Sequence, residues 1–211
     1  MLQKLLELAD ARNIQHVRIM PAGISPFKAG HAPANHRLVM LEEMVGEALA
    51  LVELESPVSV FIDTFEMERE GRSYTCETVE HLRSLGMDPV LVIGADNLSG
   101  FHRWKESQEL MARTPLLVFL RHGISLEKVI EDRQTLMDSA EARSIEILDF
   151  FPPGCSSTEL RQVLSREPDN STVAEPGPLE LHTSGVLDDC LSSPIRQYIH
   201  KHHLYRTTPS G

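Results

Sequence analysis

Five short runs of apolar, often β-branched residues predict five buried strands. They are HVRIMPA near Val17, VSVFIDT near Val60, PVLVIGAD near Val92, TPLLVFLRHG near Val118 and IEILDF near Ile147. Between them, apolar positions recur at helical spacing over 36–51, 74–85, 104–111 and 126–137. Strands that alternate with helices through short links are typical of parallel β-α-β units. The pattern therefore predicts an α/β fold, a doubly wound parallel sheet with helices on both faces.

The two ends of the chain predict further helices. Residues 2–11 have an apolar side, yet no strand precedes them, although a doubly wound sheet normally opens with a strand and a phosphate-binding turn. Residues 166–193 are rich in Pro, Ser, Gly and Asp and predict a flexible, exposed insertion. Pro194 then opens a predicted helix over 194–205. We expect a single domain over 1–211.

Composition narrows the classes of function. The 20 Lys+Arg and 31 Asp+Glu give a formal net charge of -11, which argues against a general nucleic-acid or membrane binder. The 3 cysteines indicate neither a disulfide framework nor a zinc site. Because the sequence also shows no signal or membrane segment, we expect the protein to be cytoplasmic. The histidines near residue 200 suit a last helical turn better than a metal site. The oligomeric state stays open, a homo-oligomer included.

The segment GCSSTELRQVL, 154–164, places hydroxyl groups and an arginine at the start of a predicted helix. One interpretation is structural, because Ser156 and Glu159 form a capping box ahead of an apolar stripe. The other is chemical, because free N–H groups at a helix start, with Thr158 and Arg161 on one face, can bind phosphate. The two interpretations are compatible.

Other candidate residues follow predicted strands. Gly94 and Asp96 lie just past the third strand, where Asp96 either binds ribose hydroxyls or caps a helix. Trp104, the single tryptophan, either stacks on a ligand ring or fills the core. Ser73 precedes a helix and is a candidate cap, and Lys28 lies in a Pro- and Gly-containing loop where it could bind an anion.

The combination of segments is more specific than any one of them. In order, the chain contains IMPAGISPFK, HRLVMLE, RSYTCETV, VIGADNL, the tryptophan, LVFLRHG, SSTELR and YIHKHHLY. This order and spacing resemble the bacterial nicotinate-nucleotide adenylyltransferases of the nucleotidyltransferase superfamily. The resemblance covers nearly the whole chain apart from 166–193.

The resemblance implies a Rossmann-like fold and transfer of AMP from ATP to nicotinate mononucleotide, giving deamido-NAD and pyrophosphate in NAD biosynthesis. ATP is then a co-substrate, and Mg²⁺ accompanies its triphosphate. The implied ATP-binding residues are Gly94, Asp96, Ser156, Ser157, Thr158 and Arg161. Three of these, Ser156, Thr158 and Arg161, are the implied catalytic residues. The implied substrate-binding residues are Lys28, Ser73, Tyr74, Thr75, Trp104 and Arg121.

Two features depart from the family pattern. Phe27 stands where the family usually has a histidine, and no GGTFDPxHxGH-type turn precedes Leu2. We therefore expect a shortened adenylyltransferase with little activity of its own. Two alternatives remain: another nucleotidyltransferase of the superfamily, acting for instance on phosphopantetheine, and a truncated, non-catalytic nucleotide-binding module.

Overall fold

The computed structural model describes residues 1–23, 32–139, 142–152, 154, 157–166 and 190–205, with backbone alone for 157–159 and 165–166. The chain forms two compact units. The first consists of Met1–Glu68 and Cys155–Gly211, and the second of Arg69–Gly154. The single domain expected over 1–211 stays a prediction. Most of the expected insertion, 167–189, lies outside the described residues.

The first unit is built on a parallel pair of strands, β1 (His16–Ile19) and β2 (Ser59–Ile62), in which Val17 is opposite Val60. Helix α1 (Leu2–Ala11) buries Leu6 and Ala9 against Val17, as its apolar side predicts. Helix α2 (Ala34–Leu51) lies between the two strands in the chain, and the short helix α3 (Phe65–Glu68) follows β2. Two parallel strands need a crossover connection between them, and α2 provides it here.

The second unit is built on three parallel strands in the order β3 (Leu91–Gly94), β4 (Leu116–Phe119) and β5 (Ile145–Leu148). All four residues of β4 are buried, which suits a middle strand covered on both faces. Its helices are α4 (Thr75–Ser84), α5 (Ala95–Leu98), α6 (Ser107–Arg113) and α7 (Leu126–Ser139), with a 3₁₀ turn over Phe101–Arg103. The five predicted strands and the α/β class are confirmed.

The helix predicted over 104–111 begins later than expected. Trp104 has extended backbone after the 3₁₀ turn, and α6 starts only at Ser107. The reason is Glu106, whose φ of 55° is left-handed and interrupts a right-handed helix.

Two helices near the C-terminal end of the described residues belong to the first unit. Helix α8 (Ser157–Arg166) and helix α9 (Ser193–Lys201) share an apolar cluster that contains Leu164, Ile199 and Leu204. Leu160 and Val163 pack against this cluster, which confirms the apolar stripe of α8. Helix α9 ends at Lys201 instead of 205, because His203 and Tyr205 have φ of 50° and 63°.

The cysteines differ from the expectation in one respect. Cys190 is disulfide-bonded, whereas Cys76 is a free thiol. A disulfide requires two Cα atoms about 4.4–6.8 Å apart, a condition that tertiary folding creates and that sequence spacing does not reveal. In the part of the chain that the structure describes, no helix is both long and apolar enough to cross a bilayer.

Candidate functional site

The carboxyl end of β3 carries the first group of candidate residues. Gly94 ends the strand and is the N-cap of α5, so Asp96 lies in the first turn of that helix rather than at its cap. The helix-cap interpretation of Asp96 is therefore wrong. Its carboxylate is left to interact beyond the carboxyl edge of the sheet, where open α/β sheets bind ligands.

Asp96 is paired with Arg121, which follows the neighbouring strand β4. Arg121 Nε donates a hydrogen bond of 3.2 Å to Asp96 Oδ1. The pair is open to ligands, because the two side chains are 43% and 50% exposed. Parallel strands end at the same edge of a sheet, so residues 25 positions apart meet there. The structure thus joins one predicted ATP-binding residue to one predicted substrate-binding residue.

Gly94 lies directly beneath this ion pair. A Cβ atom at this position would be 2.3 Å from Asp96 Oδ1 and 2.9 Å from Arg121 Nε. Both distances are shorter than van der Waals contact, so any side chain would displace the pair. The absence of a side chain at Gly94 therefore lets the ion pair lie in this position.

A second group of candidates surrounds the start of α4. Thr75 is the first helical residue, and Tyr74 occupies the N-cap position, so the interpretation of Ser73 as the cap is wrong. Lys105 Nζ lies 5.0 Å from the centre of the Tyr74 ring, within cation–π range. The ammonium group therefore lies beside one of the aromatic residues predicted to surround the pyridine ring.

Glu77 anchors this lysine. Lys105 Nζ donates to Glu77 Oε1 at 2.7 Å, and Arg69 lies 2.7 Å from Glu77 Oε2. The hydrogen bond from Lys105 is the main cause that lowers the pKa of Glu77, and the same bond raises the pKa of Lys105. Both groups are therefore charged at neutral pH. Sequence reasoning missed this cluster, although the position of Lys105 next to Trp104 was a usable signal.

Trp104 is partly buried against the core of the second unit. Its indole stacks on Phe101 with ring centres 4.7 Å apart and planes 24° apart. The core interpretation of Trp104 is thus confirmed for this contact. Stacking of Trp104 on a ligand stays a prediction.

In the first unit, the predicted phosphate-binding segment begins α8. Ser157 and Thr158 lie in its first turn, and Arg161 follows on the same helix. Lys28 and Ser156 lie outside the described residues. Tyr205 lies near Arg161: burial raises the pKa of its phenol, and the positive charges of Arg161 and Arg37 partly oppose this shift. Sequence reasoning missed Arg37, which lies in the first turn of α2 and donates to the Ala22 carbonyl after β1.

The described residues contain no group of three or more His, Cys, Asp or Glu side chains arranged to hold a metal ion. His202 packs instead against the rings of His36 and Tyr198, at centroid distances of 4.9 and 4.3 Å.

Known proteins resemble the chain in sequence and in structure. It is 30% identical over 197 residues to a probable nicotinate-nucleotide adenylyltransferase of Bordetella parapertussis, covering 92% of this chain and 84% of the relative. A protein of the same name from Clostridium tetani is 27% identical over 143 residues, covering 67% and 71%. No family model matches the sequence.

A solved structure shows the same fold. It is nicotinic acid mononucleotide adenylyltransferase of Plasmodium falciparum complexed with NaAD, with a TM-score of 0.66 and 15% identity. The match covers 97% of this chain and 89% of that one. The doubly wound, Rossmann-like class predicted from the pattern of strands and helices is thereby confirmed.

Proposed function

Because the chain belongs to the nicotinate-nucleotide adenylyltransferase family, we propose that it transfers AMP from ATP to nicotinate mononucleotide. The products are deamido-NAD and pyrophosphate, and the reaction belongs to NAD biosynthesis. The observation that carries this function is the 30% identity to the Bordetella parapertussis relative over 92% of the chain.

The reaction needs no covalent enzyme intermediate. An oxygen of the 5′-phosphate of nicotinate mononucleotide attacks the α-phosphorus of ATP, and the bond from that phosphorus to the bridging oxygen of the β-phosphate breaks. Pyrophosphate leaves with the electron pair of that bond. Positioning and charge stabilisation supply the catalysis of such a transfer. Mg²⁺ enters with ATP, bound by phosphate oxygens and water.

Named residues take roles in this scheme. Arg161, with the first turn of α8 at Ser157 and Thr158, binds the triphosphate, and we assign Ser156 and Lys28 to ligand binding as polar and cationic groups. Support for the arginine comes from its position: it lies one turn into a helix whose N–H groups favour anions.

The nucleoside parts are bound by the second unit. Asp96 accepts hydrogen bonds from ribose hydroxyls above Gly94, and Arg121 orients that carboxylate. Ser73, Tyr74, Thr75 and Trp104 surround the pyridine ring. The exposure of the Asp96 and Arg121 side chains supports the first role, since both can reach a ligand.

The test is product formation by the purified protein with ATP, Mg²⁺ and nicotinate mononucleotide, followed by chromatography and mass spectrometry. We expect deamido-NAD and pyrophosphate in equal amounts, and the rate of their formation tests the prediction that the chain has little activity of its own. Adenylylation of phosphopantetheine in place of either pyridine mononucleotide would instead identify another nucleotidyltransferase of the superfamily.

A matched variant tests the chemistry. Arg161→Ala removes a charged donor aimed at the phosphates, so we expect turnover to fall roughly 100- to 1000-fold with the fold intact. Circular dichroism and the thermal midpoint check the fold. Unchanged turnover in this variant would contradict the phosphate role of Arg161.

A further inference from the structure

The chain leaves α9 through a turn whose geometry is set by two backbone hydrogen bonds. The Leu204 N–H donates to the Ile199 carbonyl at 3.1 Å. The His203 N–H donates to the His200 carbonyl at 3.1 Å. With His202 as the C-cap and a left-handed φ of 50° at His203, these bonds form a Schellman motif. The backbone of the helix end therefore fixes the path of the chain beyond α9.

This turn packs against α8. Leu204 is buried in one cluster with Ile199, the apolar contact that accompanies a Schellman motif. Tyr205, the next residue, packs against the same cluster, and so does Leu160 of α8. Leu160 directly precedes Arg161. The turn thus places the ring of Tyr205 against the helix that carries the proposed phosphate-binding arginine.

The phenol of Tyr205 lies near two guanidinium groups, those of Arg161 on α8 and Arg37 on α2. Burial raises the pKa of the phenol, and this effect exceeds the opposite effect of the two positive charges. The hydroxyl group is therefore protonated and neutral at neutral pH. Its oxygen can accept a hydrogen bond from a guanidinium N–H.

The two arginines differ in what already holds them. Arg37 donates to the Ala22 carbonyl, whereas Arg161 is partly buried and must reach a ligand. Side chains of a helix lean toward its N-terminus, so Arg161 is directed toward the first turn of α8, where free N–H groups favour phosphate. A long side chain loses rotamer freedom when it binds a ligand. A neighbouring acceptor that holds it beforehand reduces this loss and strengthens binding.

We propose that Tyr205 is a positioning residue whose phenol oxygen orients the guanidinium group of Arg161 toward the triphosphate of ATP. This inference rests on the proposed function, in which Arg161 binds the phosphates. Tyr205 acts through Arg161 and not by contact with a substrate.

The test is a double-mutant cycle of Tyr205 and Arg161. Tyr205→Phe removes the hydroxyl group and keeps the ring against the cluster, so the thermal midpoint should stay close to that of the wild type. We expect the affinity for ATP, measured by isothermal titration calorimetry, and kcat/KM for ATP to fall roughly tenfold, the scale of one hydrogen bond to a charged group. In an Arg161→Ala background, Tyr205→Phe should cause no further loss, because the group that it positions is gone.

Tyr198→Phe is the matched control. Tyr198 also packs against the cluster, but its hydroxyl group is hydrogen-bonded to His36 Nδ1 at 2.9 Å. Its replacement removes the same group from α9 and should leave the affinity for ATP as in the wild type.

The outcomes separate this inference from the proposed function. Equal losses from Tyr205→Phe in both backgrounds would make Tyr205 a packing residue of the cluster and overturn the inference. Unchanged ATP affinity and kcat/KM in Tyr205→Phe, in a protein that makes deamido-NAD, would overturn the inference alone. Wild-type protein that binds ATP but makes no deamido-NAD would overturn the proposed function, while the ATP affinities of the cycle would still decide the role of Tyr205. Wild-type protein that does not bind ATP would overturn both.

Discussion

At the scale of single residues, Gly94 links the geometry of the backbone to the proposed nucleotide site. Its missing side chain leaves room for the Asp96 and Arg121 pair, whose atoms would lie 2.3 and 2.9 Å from a Cβ. The displaced atoms belong to exposed side chains, which can move aside. The close contact therefore constrains the position of the carboxylate more than the stability of the fold.

We predict that Gly94→Ala weakens ATP binding about as much as Asp96→Ala, while the free energy of unfolding changes by less than about 1 kcal/mol. Calorimetric titration with ATP and urea unfolding measure the two quantities. Gly46→Ala is the control, because a Cβ there meets nothing within 4 Å inside α2. That change should stabilise by about 0.5–1 kcal/mol without affecting ATP. Unchanged ATP affinity in both Gly94→Ala and Asp96→Ala would refute the ribose role of Asp96.

At the scale of elements, α8 is held by its apolar side. Leu164 is 5% exposed and shares a cluster with Ile199 and Leu204. We predict that Leu164→Ala destabilises the protein by about 2–5 kcal/mol, the loss typical of a buried leucine that leaves a cavity. Leu51→Ala, at a residue 74% exposed, should change stability by less than about 0.5 kcal/mol. Equal urea midpoints for the two variants would show that α8 is not held by this cluster.

The contact between α9 and α2 makes stability depend on pH. Desolvation is the main cause that lowers the pKa of His202, and the positive charges of His36, Lys201 and His203 add to it. The folded state therefore binds a proton at His202 less readily than the unfolded state does. The stability that this neutral histidine contributes is full above its ordinary pKa of about 6.5 and falls as the pH drops below that value.

We predict that His202→Phe, which keeps a ring beside Tyr198 but cannot titrate, loses less stability than the wild type between about pH 7.5 and 5.5. Thermal midpoints of the two proteins at several pH values, at constant ionic strength, measure this difference. Parallel curves would mean that His202 does not titrate differently in the folded and unfolded states.

At the scale of the whole molecule, the excess of 31 acidic over 20 basic residues sets the long-range field. The phosphate groups of a small substrate interact with individual arginines. A nucleic acid, which is larger, is repelled by the net charge of -11 on the whole chain. We predict no mobility shift of duplex DNA at about 0.15 M salt, where charges beyond about 8 Å are screened. A shift that disappears at higher salt would reveal a basic surface that the composition does not indicate.

Some of the candidate site could be predicted from the sequence and some could not. Arg161 on α8 and Gly94 at a strand end follow from motifs within a few residues, since capping and strand patterns are local. The partnership of Asp96 with Arg121, and of Glu77 with Lys105, joins residues 25 and 28 positions apart. No local pattern encodes such pairs, so sequence reasoning assigned Asp96 and Arg121 to different roles and missed Glu77 and Lys105.

By itself the sequence determined the five strands and the α/β class, because apolar periodicity reports which face of each element is buried. The family followed from the resemblance of its ordered motifs to known members. The start of α6 at Ser107, the end of α9 at Lys201 and the bonding of Cys190 were decided only by the tertiary structure. These features depend on left-handed residues and on contacts between distant segments. The interactions that produce these features form only in the folded chain, so they cannot be inferred from composition and spacing.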